Sequence, residues 1–389
     1  MIYLDNAATT FPKPQSVIDM VHDTLTHGIG TPGRGTHEAA LKAGDRVNIV
    51  RRKMQKFFGM LEEYRVAFTY SATDALNTVL KGYLDEGDHV IISTMEHNSV
   101  SRPAIRMAQD RFISLDIANT DDYGYIDLDD LKKRFKSNTK LVAISHGSNV
   151  AGVVQNIEEI VKLAHEHDVA VLVDAAQTVG VIPINVRALG IDFLAFSGHK
   201  GIMGMQGTGG LVIGERIRKL RPFREGGTGF DSESETQPVN WPEAYESGTP
   251  NVAGILSMGA GLDFINEVGI ENIAKKELAH IDKIYNALNE MDNITIYSPP
   301  PGRADRIAVL SFNLDGWDSA DVGDVLNLSH GIHLRCGLHC SPLAHKRLGT
   351  FPVGTIRVSP GYFTTDDDIE EFIRAVRMLT LTDVPNIGI

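Results

Sequence analysis

The feature that most constrains this chain is a series of seven short apolar runs, rich in Val, Ile and Phe, within its first 214 residues. They read RVAFTY (65–70), HVIIS (89–93), RFISLDI (111–117), KLVAIS (140–145), VAVLVD (169–174), DFLAFS (192–197) and GGLVIG (209–214). Most lack polar alternation, as expected of parallel strands buried on both faces, and the segments between them, such as 157–167, carry helical spacing. The fold class that follows is α/β, a doubly wound and mostly parallel seven-stranded sheet.

Past a Gly- and Pro-containing stretch at 225–250 the pattern changes. Apolar positions three or four apart (Leu278, Ile281, Tyr285, Leu288) precede RIAVLSFNL, GIHLRC and GTIRVS, and a further helix is expected from about Asp366. This describes a smaller α+β domain. The expected division is 15–260 for the large domain and 261–389 for the small one, with residues 1–14 packing near the small domain and the active site.

A length of 389 residues with 42% apolar content supports a core of that size. The net charge of -13, spread along the chain, argues against nucleic acid or an anionic membrane as partner, because phosphate binding calls for a basic face. Small molecules are the expected ligands. The start, MIYLDNAATTFPKP, has neither a basic nor an apolar leader region, and no stretch approaches the ~18 apolar residues of a membrane span. A cytoplasmic protein is the expectation. The two cysteines, Cys336 and Cys340, are too few for a disulfide scaffold and point to chemistry.

Open α/β sheets bind ligands beyond the carboxyl ends of their strands. Those ends carry Ser71-Ala72-Thr73, Glu96-His97-Asn98, Ser148-Asn149, Asp174-Ala175-Ala176-Gln177 and Ser197-Gly198-His199-Lys200. A lysine in a partly desolvated pocket becomes a neutral amine able to form a Schiff base. A carboxylate at a buried strand end, Asp174, needs a cation, and a protonated pyridine nitrogen is a suitable one. Lysine with strand-end aspartate is the pairing expected for pyridoxal phosphate. Ser71, Ala72 and Thr73 open the helix DALNTVLKGYL, whose free N–H groups suit a phosphate, with Ser197 and His199 completing the cradle. His97 can stack on the ring and move protons. Singly, each residue has a plainer reading: Asp174 and Thr73 as helix caps, His97 as a satisfied loop histidine, Lys200 as a surface lysine on a glycine turn. Their joint occurrence at successive strand ends favours the functional one.

LDNAAT, MEHNS, SHGSNVAG, VDAAQ, FSGHK, ESGTPN and RCGLHC, in this order over nearly the whole chain, resemble the cysteine desulfurase and selenocysteine lyase family. That family is the class V aminotransferase branch of fold type I pyridoxal phosphate enzymes. The resemblance implies Lys200 as the Schiff-base lysine, Asp174 at the pyridine nitrogen, Gln177 at the ring hydroxyl and His97 stacked on the ring. Ala72, Thr73, Ser197 and His199 are implied at the phosphate, and Thr249 at the phosphate of a neighbouring subunit, which makes a homodimer. Arg357, helped by Asn149, which is also implied at the cofactor, is implied as the clamp on the substrate carboxylate, and Cys340 as the nucleophile that takes sulfur from L-cysteine as a persulfide and leaves L-alanine. A sulfur-acceptor protein is an implied partner. Cys336 reads as a small buried residue ending its strand. The sequence departs from the family pattern in two places: Leu338 stands where better-known short-loop members have histidine, and Ser71-Ala72 replaces Gly-Thr.

Two kinds of rival stay open from the sequence. One keeps the cofactor and changes the substrate: a selenocysteine lyase, or a related β-lyase or aminotransferase. The other is a non-catalytic zinc module built on Cys336, His339, Cys340 and His345, which has the right residue types but no CxxC pair and leaves Lys200 and Asp174 without a role. No metal is expected. A nicotinamide enzyme is disfavoured because GTGG (207–210) precedes a strand.

Overall fold

A computed structural model describes residues 1–381 except 29, 34, 63, 64, 232 and 304. The end of the expected small domain, 382–389, lies outside the described residues.

All seven apolar runs become strands of one sheet. After β1 (Ile2–Tyr3) they are β2 (Val66–Thr69), β3 (His89–Ser93), β4 (Ser114–Ala118), β5 (Thr139–Ser145), β6 (Ala170–Asp174), β7 (Phe193–Ser197) and β8 (Gly209–Ile213). Their spatial order is β2-β8-β7-β6-β5-β3-β4, parallel from β7 to β4, with β8 antiparallel to both neighbours. The lack of polar alternation is explained by burial of every residue of β3, β6, β7 and β8. Side chains on one face join a core with Phe58, Phe196 and Met258, and those on the other join Leu76, Leu80 and Phe193. Burying a side chain of this size contributes roughly 1.5–3 kcal/mol. β4 begins later than expected because Arg111, at φ +59°, still closes the preceding helix by donating its N–H to the Ala108 carbonyl.

Beyond the sheet, β9 (Ile294–Ile296), β10 (Leu310–Leu314), β11 (Ile332–His333), β12 (Arg335–Gly337) and β13 (Thr355–Val358) follow. A four-stranded antiparallel sheet, β12-β13-β10-β9, packs against helices Ile270–Asn289, Ser319–His330 and Asp366–Thr380 around Phe312 and Phe372. GIHLRC, expected as one strand, is divided at Leu334: β11 pairs in parallel with β1, and β12 pairs with β13. RIAVLSFNL is strand only from Leu310, since Arg306 bridges to Val153 and Val309 N–H turns back to the Ile307 carbonyl.

The expected boundary at 260/261 falls inside helix Val252–Val268, whose Leu262 and Ile265 belong to the large-domain core. The change of core comes within the next helix. Its Ile273 packs into the large core and its Ile281, Ile284 and Leu288 into the small one. Residues 1–14 run between the two units: Leu4 N–H donates to the His333 carbonyl, and Thr10 N–H to the His199 carbonyl. No helix among the described residues is long and apolar enough to cross a membrane.

Candidate active site

The carboxyl ends of β3, β5, β6 and β7 open into a pocket of about 270 Å³ whose far wall is the β12–β13 end of the small domain. Ala72, Thr73, His97, Asn149, Asp174, Gln177, Ser197, His199, Lys200, Cys340 and Arg357 all line it. Of the candidate residues only Thr249 does not. It sits exposed on the loop before helix Val252–Val268, where its carbonyl accepts from the Tyr70 hydroxyl at 3.3 Å.

Lys200 follows β7 on a turn that requires small residues. A Cβ at Gly201 would stand 2.2 Å from the Val179 carbonyl oxygen, and one at Gly198 would stand 2.3 Å from Met258 Sδ. The turn is thereby wedged between the 175–181 loop and helix Val252–Val268, which fixes where the lysine emerges. Burial lowers the Lys200 ammonium to about 8, against the opposing pull of Asp174. Asp174 is buried, and burial raises its carboxyl although the Ala176 N–H and the Lys200 charge favour the anion. A buried carboxylate at the floor of an open pocket fits a protonated ring nitrogen.

Helix Ala72–Tyr83 presents its first turn to the same pocket. Ser71 caps it by accepting from Asp74 N–H at 3.2 Å, and the Asp74 carboxylate is drawn off by Arg224 at 3.0 Å and by Tyr70 N–H at 3.1 Å. The Ala72 and Thr73 N–H groups are therefore left for an external anion, with no carboxylate competing. These features, with Ser197 and His199 on the same rim, fit pyridoxal phosphate.

His97 caps helix Asn98–Gln109. Its Nδ1 accepts from Ser99 N–H at 3.0 Å and meets Ser99 Oγ at 2.9 Å, and Ser99 Oγ lies 2.7 Å from Thr73 Oγ1. The ring proton accordingly belongs on Nε2. Burial, with the charges of Lys200, Arg102 and Arg357, holds the imidazolium at about 4, so the ring is neutral near pH 7. His199 is held at about 4 by burial and by Lys200 and Lys13, and its Nδ1 lies 3.0 Å from Thr9 Oγ1.

Cys340 is exposed at the pocket mouth. It and His339 adopt left-handed backbone at φ +59° and +46°, a conformation that β-carbon-bearing residues take only when held there. Asn149 Nδ2 donates to the His339 carbonyl at 2.6 Å, Ser341 Oγ donates to Asn149 Oδ1 at 2.9 Å, and Asn98 N–H donates to the Cys340 carbonyl at 2.8 Å. Cys336 lies on the opposite face of β12, packed against Gly323, where burial and nearby carboxylates push its thiol up to about 12. The zinc reading is corrected here: alternation along β12 turns Cys336 away from the pocket that Arg335 and Cys340 line, and no group of three His, Cys, Asp or Glu among the described residues is placed to hold a metal.

Arg357 on β13 is 2% exposed. It donates to the Asn149 carbonyl at 3.0 Å and to Asp5 Oδ1 at 2.7 Å, while its buried Nε has no partner. The sequence reading gave no role to Asp5, Ser99, Thr9 or Lys13. Asp5 and Thr9 lie in the quoted motif LDNAAT, but only the folded chain brings that motif 190 residues and more across to His199 and Arg357.

Residues 2–372 match the family model described as aminotransferase class-V. A probable cysteine desulfurase of Methanothermobacter thermautotrophicus is 33% identical over 95% of this chain and 92% of its own length, and one of Pyrococcus abyssi is 35% identical over 97% and 94%. Among solved structures, the apo cysteine desulfurase of Thermococcus onnurineus superposes with a TM-score of 0.91 at 32% identity, covering 98% of this chain and 94% of that one. The chain belongs to the class-V aminotransferase family, among its cysteine desulfurases.

Proposed function

We infer that this chain converts L-cysteine to L-alanine with pyridoxal phosphate as cofactor, passing the sulfur to Cys340 as a persulfide. The observation that carries the reading is the convergence on one pocket of Lys200, Asp174, a helix N-terminus, Arg357 and an exposed cysteine. The cofactor, when bound, withdraws electrons from the substrate's Cα and Cβ. Lys200 would hold it, Asp174 would keep its ring nitrogen protonated, Gln177 would face its ring hydroxyl, and Ala72, Thr73, Ser197 and His199 would hold its phosphate.

Arg357 binds the substrate carboxylate through the edge that Asp5 and Asn149 leave unused. With substrate in place, the Lys200 amine, whose burial favours its neutral form, would take the Cα proton. Neutral His97 would stack on the cofactor ring. The Cys340 thiolate then attacks the substrate sulfur: an S–S bond forms, the substrate's Cβ–S bond breaks, and its electron pair goes to Cβ, which takes up a proton to give alanine. Cysteine is reduced by two electrons as the thiol is oxidised to persulfide, so no outside reductant enters this half-reaction. An acceptor protein or thiol removes the sulfur afterwards.

The exposed Thr249 is read as the contribution of a second copy to each phosphate site, making the working form a homodimer. Incubation of the purified holoenzyme with L-cysteine and with L-selenocysteine, quantifying alanine with released sulfide or selenide, tests the activity. Alanine formation from L-cysteine supports the desulfurase. Turnover of selenocysteine alone assigns a lyase, and turnover of neither overturns the reading.

A further inference from the structure

Arg335 and Arg357 are direct partners across the antiparallel pair β12–β13. Like charges placed opposite one another in a sheet repel. What stands between them is Asp5: its Oδ1 accepts from Arg357 at 2.7 Å and its Oδ2 from Arg335 Nε at 3.2 Å. Among the described residues no other carboxylate pairs with either guanidinium. Both arginines line the pocket, whereas Asp5 does not, so it grips them from behind and leaves their remaining donors toward the ligand.

The position of Asp5 is fixed by backbone. Ser359 N–H donates to the Leu4 carbonyl, Asn6 N–H donates to the Ser359 carbonyl, and Asp5 bridges Ser359 in parallel, all just past β13. Ser359 is two residues beyond Arg357, so the carboxylate and the guanidinium are held by the same stitch.

We propose that Asp5 is the positioning residue of the substrate-carboxylate site, a single anion that holds the Arg335–Arg357 pair together and aims Arg357 at the incoming α-carboxylate. The proposal rests on the reading of Arg357 given above. A carboxylate is required because each guanidinium offers only donors: an asparagine can accept from one, but its own NH2 then faces the other. Glutamate keeps the charge and both acceptors.

The test compares binding of L-alanine and of ethylamine, which has the amine but no carboxylate, to the holoenzyme and to Asp5→Asn, Asp5→Glu and Arg357→Gln, followed by cofactor absorbance. Asp5→Asn is expected to weaken L-alanine about tenfold or more and leave ethylamine unchanged, with KM for L-cysteine rising more than kcat falls. Asp5→Glu is expected to restore most of the affinity. If Asp5→Asn binds L-alanine as the unaltered enzyme does, or loses both ligands alike, the positioning role is overturned. If Arg357→Gln leaves L-alanine affinity unchanged, the carboxylate site is elsewhere and the role of Asp5 falls with it; a weakened Arg357→Gln beside an unaffected Asp5→Asn removes Asp5 alone.

Discussion

Asn149 donates a 2.6 Å hydrogen bond to the carbonyl of His339, the residue before Cys340, and accepts one from Ser341, the residue after it. Its side chain therefore spans the cysteine, while its own carbonyl accepts from Arg357. The residue expected to help bind substrate also holds the Cys340 loop in a left-handed turn. Asn149→Ala should slow sulfur transfer more than tenfold, because two buried hydrogen bonds that hold a backbone of limited stability are lost. Single-turnover kinetics separate the steps: the initial cofactor absorbance change should persist while persulfide formation slows. Equal slowing of both would contradict the loop role.

Lys200 titrates near 8 because of burial, with Asp174 favouring the charged form. The free amine is the form that captures an aldehyde, so borohydride-trapped cofactor incorporation into the apoprotein should accelerate as pH rises through about 8. Asp174→Asn removes the anion that favours the ammonium, and should move the midpoint to lower pH. A midpoint that moves upward would show that another group governs capture. Lys200→Ala should yield no reducible link to the chain at any pH.

Glu277 is buried and lines a separate small cavity together with Gln177 and Lys200, and burial raises its carboxyl to about 8, against a partial lowering by Tyr362 N–H. The folded state thus keeps a proton that the unfolded chain releases above its ordinary value of 4.5, and stability from this group falls as pH rises from there to about 8. Glu277→Gln keeps the shape without the acid. It should raise stability by a few kcal/mol at pH 8, with a difference that vanishes below pH 4, roughly what a shift of several units implies. Denaturant melts at the two pH values measure it, and a destabilised variant at pH 8 would show that the carboxylate itself is used.

If Thr249 completes the neighbouring subunit's site, two inactive variants should complement. In a hybrid of Lys200→Ala with Thr249→Trp, one site of the two has both an intact lysine and an intact threonine. Remixing equal amounts should recover about a quarter of the activity if exchange is complete. A monomer of full activity by sedimentation would remove the shared site.

The large sheet was legible because its strands are buried on both faces, and burial writes itself into sequence as uninterrupted Val, Ile and Leu. The residues of the candidate pocket were legible for a related reason: parallel strands all end on one rim, so Thr73, His97, Asp174 and Lys200 are brought together by topology alone. The division of GIHLRC at Leu334 was not, since the partner of its first half is the chain's own second and third residues, about 330 positions away. Asp5 was hidden in the same way. An aspartate among Leu, Asn and Ala shows nothing of two arginines that only tertiary structure brings to it. The boundary near 260 was displaced because the Gly- and Pro-containing stretch at 225–250 interrupts the pattern after the last large-domain strand, while the helix that follows still packs on that domain.

The central claim is that Cys340 takes sulfur from L-cysteine, and it is tested most directly by locating the sulfur. Holoenzyme exposed to L-cysteine, alkylated and cleaved after Arg335, yields a peptide carrying both cysteines, which tandem mass spectrometry distinguishes. The account predicts the mass of one added sulfur on Cys340 and none on Cys336, with alanine formation from L-cysteine lost in Cys340→Ala while cofactor binding is retained. Selenocysteine turnover in that variant should survive in part, since selenolate is the better leaving group. A persulfide confined to Cys336, or undiminished alanine formation from L-cysteine by Cys340→Ala, would contradict it.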